Sequence, residues 1–120
     1  MIKDKLTEHF TYDEMTATDY GENKLTTEAK INLVYLCRKL EAVRAIVGYP
    51  LIISSGYRSD KINSLVGGAS NSLHRSGRAC DIVTSHLSKS DVDFLFETLE
   101  DTSPTELLRY DSLGYIHYAI

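Results

Sequence analysis

Two histidines and an aspartate carry the chemistry of this chain. His74 and Asp81 lie seven residues apart in Ser72-Leu-His-Arg-Ser-Gly-Arg-Ala-Cys-Asp81, where Gly77 can turn the backbone sharply between them. Imidazole nitrogen and carboxylate oxygen are both good Zn²⁺ donors, and neither depends on the redox state of the compartment. A third donor, His117, sits in the apolar, strand-like stretch Gly114-Tyr-Ile-His-Tyr-Ala-Ile120. Three protein ligands leave one tetrahedral position for water, the arrangement of a catalytic zinc; a purely structural zinc would be closed by a fourth ligand.

Such a site needs a scaffold that brings residues 74, 81 and 117 together. Residues 1–25 read as an irregular polar opening anchored by Leu6, Phe10 and Met15. A helix follows, with Thr27 as its expected N-cap and Glu28 favourable to the dipole. Leu33, Leu36, Cys37, Leu40, Val43 and Val47 recur at three- and four-residue spacing as one buried face, and Gly48 and Pro50 stop the helix. Leu51–Ser55 is a short β-branched run that predicts a strand ended by Gly56, and 57–72 reads as a loop with one helical turn. Ala79–Val83 predicts a second strand. Ser90 is expected to cap another helix, with Asp93 three residues on, and Val92, Leu95, Phe96 and Leu99 as its buried stripe.

Pro104 breaks the chain before a hairpin of Glu106–Tyr110 and Tyr115–Ala119, joined by Asp111-Ser-Leu-Gly114. Asp at the first turn position with Gly after it suits a type I turn with a G1 bulge, a register that would set Arg109 opposite His117. Strands and helices do not alternate as βαβ units. The expected fold is therefore α+β, one domain over residues 1–120, with a mainly antiparallel sheet and flanking helices.

Composition narrows the function classes. The 120 residues are 42% apolar and 25% charged, ordinary for a globular protein. A net charge of −4 without any Lys/Arg run argues against a nucleic-acid partner, and no stretch nears the ~20 apolar residues of a membrane span. The start, Met-Ile-Lys-Asp-Lys-Leu-Thr-Glu-His, lacks the apolar region of a signal peptide, so synthesis in the cytoplasm is expected. Cys37 and Cys80 fall at apolar positions and read as buried free thiols. Oligomeric state is not set by any feature of the sequence.

Three further patterns surround the candidate ligands: Leu6-Thr-Glu-His-Phe-Thr11, Ser54-Ser-Gly-Tyr-Arg-Ser59, and Leu65-Val-Gly-Gly-Ala-Ser-Asn-Ser72 leading into His74. With Ser72, His74, Gly77, Ala79 and Asp81 spaced as Ser-x-His-x-x-Gly-x-Ala-x-Asp, and the final Tyr-Ile-His, the chain resembles the zinc D-Ala-D-Ala peptidases of family M15. The likeness is to the small phage and bacterial members of the hedgehog/DD-peptidase fold. It implies Zn²⁺ on His74, Asp81 and His117, and a bacterial cell-wall peptide as substrate. The implied reaction is a D-Ala-D-Ala carboxypeptidase or a stem-peptide or cross-bridge endopeptidase, acting at the cell wall in phage or prophage lysis or from a virion.

The resemblance also makes Arg58 the residue that stabilises a tetrahedral intermediate or holds a substrate carboxylate, and Ser72 a substrate contact. His86, in a Thr-Ser-His-Leu-Ser connector, is expected to be exposed, and packing accounts for His9. One departure bears on catalysis: the family's general base often stands three residues before the last histidine ligand, and that position is Gly114. On the expected register Asp111 shares the face of His117 while Glu106 and Tyr110 face away, which makes Asp111 the candidate base. A catalytically impaired, zinc-stabilised wall-binding or virion assembly module is the alternative.

Overall fold

The computed structural model describes residues 4–120; the first three residues of the opening lie outside it. The opening is more ordered than its composition suggests. Strands β1 (Lys5–Thr7) and β2 (Phe10–Thr11) form a small antiparallel pair, followed by helix α1 (Tyr12–Thr16). Thr11 caps α1 in a full capping box with Glu14, and Phe10 and Met15 are buried. His9 ties this segment down: its Nδ1–H donates to Glu41 Oε1 (2.6 Å), while Glu41 Oε2 accepts from Thr7 Oγ1 and the His9 amide (2.7 Å each).

Helix α2 (Thr27–Val47) begins one residue after its cap, Thr26, whose hydroxyl accepts from Ala29 N–H, and it ends at Gly48 in the left-handed conformation. Its stripe of Leu33, Leu36, Cys37, Leu40 and Val43 is fully buried, and Val47 packs at the edge. Strand β3 (Ile53–Ser55) is shorter than expected, and the helical turn in the following loop is α3 (Asp60–Leu65). A 3₁₀ turn, Leu73–Ser76, leads into β4 (Ala79–Val83), which has the expected bounds. Helix α4 (Lys89–Glu100) is capped by Ser88, whose hydroxyl accepts from Asp91 N–H at 3.1 Å. Ser90 therefore lies inside the first turn, two residues beyond the cap it was expected to be.

Strands β5 (Glu106–Tyr110) and β6 (Tyr115–Ala119) complete a four-stranded antiparallel sheet in the order β3-β4-β6-β5. The α+β architecture is the one expected. Cys80 and Ile82 of β4 and Ile116 and Tyr118 of β6 face inwards and pack with the α2 stripe and with Leu95 and Leu99 of α4. The alternate residues, Asp81 and His117, lie on the other face. Burying one sheet face against two helices thus fixes which face carries polar chemistry.

The hairpin register differs from expectation by one residue. Leu108, not Arg109, pairs with His117, and Tyr110 pairs with Tyr115. The turn begins at Tyr110, whose carbonyl accepts from both Leu113 N–H (3.2 Å) and Gly114 N–H (2.8 Å), one residue earlier than an Asp111 start. Because strand side chains alternate, that slip exchanges the two faces of β5. Glu106, Leu108 and Tyr110 therefore share the face of His117.

Candidate metal centre

Asp81 and His117 are direct cross-strand partners on β4 and β6, so pairing alone sets their side chains side by side. His74 reaches them from the 3₁₀ turn. That turn is started by Ser72, whose Oγ accepts from His74 N–H (3.2 Å), and it is ended by Gly77 at φ +76°. Asn32 of α2 donates through Nδ2 to Ser76 O (2.8 Å), and a Cβ at Gly77 would meet the Ala29 carbonyl, whose carbon lies 3.1 Å away. Only glycine allows the turn to rest this closely on α2.

One nitrogen of each histidine is already committed. His74, 2% exposed, donates Nδ1–H to Gly56 O at 2.7 Å and turns Nε2 towards Asp81 Oδ1 at 3.4 Å. His117 does the reverse: Nδ1 faces Asp81 Oδ1 at 3.0 Å and Nε2–H donates to Glu106 Oε1 at 2.8 Å. One donor atom from each of His74, Asp81 and His117 can be chosen so that all lie within 4.8 Å of one another. Burial by itself would raise the Asp81 carboxyl, but hydrogen bonds from His117 and His74 outweigh it and hold it at about 2. His117 is raised, chiefly by its bond to Asp81, against burial and with Glu106 adding to the rise. Two imidazoles and an ionised carboxylate, without a thiolate, fit Zn²⁺ and leave a position open.

The cluster opens into a cleft of about 310 Å³. Arg58, Ser72, Glu106, Leu108, Tyr110 and Tyr115 line it around the triad. Arg58 Nη2 donates to Ser72 Oγ (3.4 Å), and its buried Nε–H has no partner among the described residues. Burial lowers the Arg58 pKa, opposed by the negative charge of Asp81.

The structure does not bring Asp111 to this cleft. Its carboxylate accepts from Arg109 Nε at 2.7 Å, and it borders a separate depression with Ser85, Lys89 and Gly114. The cause is the earlier turn start, which points Arg109 and Asp111 towards α4, where Arg109 Nη1 also meets Asp93 at 2.8 Å. Nor can position 114 carry an acid. Gly114 has φ +77°, and a Cβ there would stand 2.9 Å from Ser85 Cβ. Among the described residues lining the cleft, the carboxylates are Asp81 and Glu106. His86 is exposed, as expected.

Sequence reasoning turned Glu106 and Tyr110 away from the site and did not single out Tyr115. Tyr115 was legible as the residue two before His117 on the same strand; the Gly56 carbonyl that orients His74 left no signal, since any residue could supply it.

The family model described as Peptidase M15 matches residues 8–119. The chain belongs to the peptidase M15 family. Within it, this M15 chain is 38% identical over 78 residues to the zinc D-Ala-D-Ala carboxypeptidase of Streptomyces albus G. The match covers 62% of the chain and 31% of that relative's length. Among the described residues of the M15 chain, no helix is long and apolar enough to cross a membrane.

Proposed function

We propose that this chain is a zinc metallopeptidase acting on peptides of the bacterial cell wall, as a D-Ala-D-Ala carboxypeptidase or a stem-peptide or cross-bridge endopeptidase. The observation that carries the reading is the convergence of His74, Asp81 and His117 at the floor of an open cleft beside a partly buried arginine. His74, Asp81 and His117 would hold the zinc, which supplies Lewis acidity to a scissile carbonyl and to an attacking water. Arg58, whose Nε–H is unpaired among the described residues and whose guanidinium reaches Ser72, would bind a substrate carboxylate or the developing oxyanion. Ser72 Oγ accepts from both Arg58 and the His74 amide, so its hydroxyl joins the arginine to the turn that carries a candidate ligand. Leu108, Tyr110 and Tyr115 provide an apolar wall for peptide side chains, Tyr110 and Tyr115 stacking at 4.8 Å.

The likeness to a zinc D-Ala-D-Ala carboxypeptidase supports an action on cell-wall peptides, and the resemblance of the sequence motifs to small phage members of the family is the ground for placing that action in phage or prophage lysis. The test is digestion of purified peptidoglycan with and without a chelator, followed by mass analysis of the fragments. Chelator-sensitive release of peptide fragments or of D-alanine is expected. His74→Ala and His117→Ala should each lose the metal by elemental analysis, whereas Arg58→Ala should keep it and lose about 10²-fold or more in kcat/KM. A chain that binds zinc and cuts no member of a muropeptide panel would instead be a wall-binding or assembly module.

A further inference from the structure

We propose that Glu106 is the positioning carboxylate of the metal site, holding the His117 ring so that Nδ1, and not Nε2, is offered to the ion. The inference rests on reading His74, Asp81 and His117 as metal ligands. Its basis is the geometry of the edge strand. Glu106 lies two residues before Leu108, the cross-strand partner of His117, so the two are diagonal neighbours on one face of the sheet. Diagonal neighbours stand about 7–8 Å apart at the backbone, a span that a long side chain can close. Glu106 Oε1 closes it, accepting Nε2–H at 2.8 Å while Nδ1 faces Asp81 at 3.0 Å. Among the described residues the Glu106 carboxylate has no other hydrogen bond or ion pair, and its side chain is 44% exposed.

The two histidines are thus held in complementary fashion. A backbone carbonyl takes the outer N–H of His74 and leaves Nε2 as donor; a carboxylate takes the outer N–H of His117 and leaves Nδ1. A carboxylate behind a ligating imidazole fixes its tautomer and orientation and raises its basicity. Because the carboxylate sits at the far nitrogen of the ring, it acts through His117 and not on substrate. Side-chain length is part of the device: aspartate at 106 would fall about one methylene short, so charge alone would not reproduce it.

The experiment is zinc affinity by competition with a chromophoric chelator, together with ¹⁵N–¹H imidazole correlation spectra of the zinc-loaded protein. Wild type should show His117 bound through Nδ1, with a downfield, slowly exchanging Nε2–H. Glu106→Ala and Glu106→Asp should each weaken zinc binding by about 10- to 100-fold and speed exchange of that proton. Glu106→Gln, whose amide oxygen can still accept, should recover part of both. Zinc affinity within twofold of wild type in Glu106→Ala, a Glu106→Gln variant as weak as Glu106→Ala, or His117 bound through Nε2 would each overturn the assignment. None of these readouts requires peptide cleavage. An inactive protein that shows the expected pattern would count against the peptidase reading alone, and loss of zinc sensitivity to His74→Ala would count against the ligand set.

Discussion

Replacing Gly77 by alanine tests whether the seat of the His74 turn on α2 shapes the metal site. Gly77 and Gly48 both have positive φ, +76° and +83°, but a Cβ at Gly48 meets nothing within 4 Å whereas one at Gly77 runs into the Ala29 carbonyl. An alanine forced into this region costs about 1–2 kcal/mol. Reduced freedom of the unfolded chain offsets about 0.4–1 kcal/mol of that. Gly48→Ala should therefore lose about 1 kcal/mol net. Gly77→Ala bears the same strain and must also lift the turn off the helix, loosening the Asn32 Nδ2 to Ser76 O bond of 2.8 Å. That bond is worth about 1 kcal/mol and the displaced packing adds to it, for a total near 2–3 kcal/mol. At the usual unfolding entropy per residue, 120 residues shift by about 4 °C per kcal/mol. Thermal melts of chelated protein should thus fall by about 4 °C for Gly48→Ala and about 8–12 °C for Gly77→Ala. Zinc titration should weaken only in Gly77→Ala, since its strain is relieved by moving the segment that carries His74. Equal losses in the two variants, or unchanged zinc affinity in Gly77→Ala, would refute the steric account.

Asp111→Asn should leave zinc stoichiometry unchanged and peptide hydrolysis within about twofold of wild type, as for other surface changes away from a site; a loss of cleavage with zinc retained would return Asp111 to the reaction. Thermal stability should depend on pH in opposite senses with and without metal. In chelated protein the ionised Asp81, held at about 2, contributes stability above the ordinary carboxyl value that is lost as pH falls towards 2. His117, raised, contributes stability below its ordinary value that is lost as pH rises through its folded one. The chelated melting temperature should therefore peak between about pH 4 and 6.5 and decline above it, while the zinc-loaded one should climb there, because the metal needs deprotonated imidazoles. Parallel profiles would disprove the coupling. Burial, with Glu14 and Glu41 adding to it, pushes the Cys37 thiol up to about 12, and burial drives Cys80 upward too. A thiol-disulfide chromogenic reagent at pH 8 should thus titrate neither in native protein and both in denaturant; a fast native reaction would contradict the packing of α2 on β4.

What the sequence disclosed follows from how local its causes are. The stripe of α2, its Gly48 terminus and the bounds of β4, β5 and β6 are set by periodicity and turn residues, and they were read closely. The three candidate ligands stood out because their chemistry is rare and their surroundings resemble those of a family, and the fold brings them together. The register of the last hairpin was not, since Asp111 and Gly114 fit a turn starting at either residue 110 or 111. That single step decided whether Glu106 or Asp111 stood beside His117. The α4 cap was read two residues late: Ser88, not Ser90, accepts from a first-turn amide, that of Asp91. The Gly56 carbonyl and the close seat of Gly77 are tertiary facts with no pattern in the chain.

The strand order has a consequence for the nascent chain. β6, last in chain order, occupies an interior position between β4 and β5. During synthesis β4 can pair with β3 soon after it emerges, but its other edge, carrying Ala79, Cys80 and Ile82, stays open while α4 and β5 are made. The candidate triad of His74, Asp81 and His117 is likewise incomplete until His117 arrives, so on the proposed assignment the full set of metal donors forms only as β6 joins β4. Exposed apolar edges of this kind are where folding intermediates associate wrongly. Insertion of β6 is therefore the step that both covers the open edge of β4 and completes the candidate site.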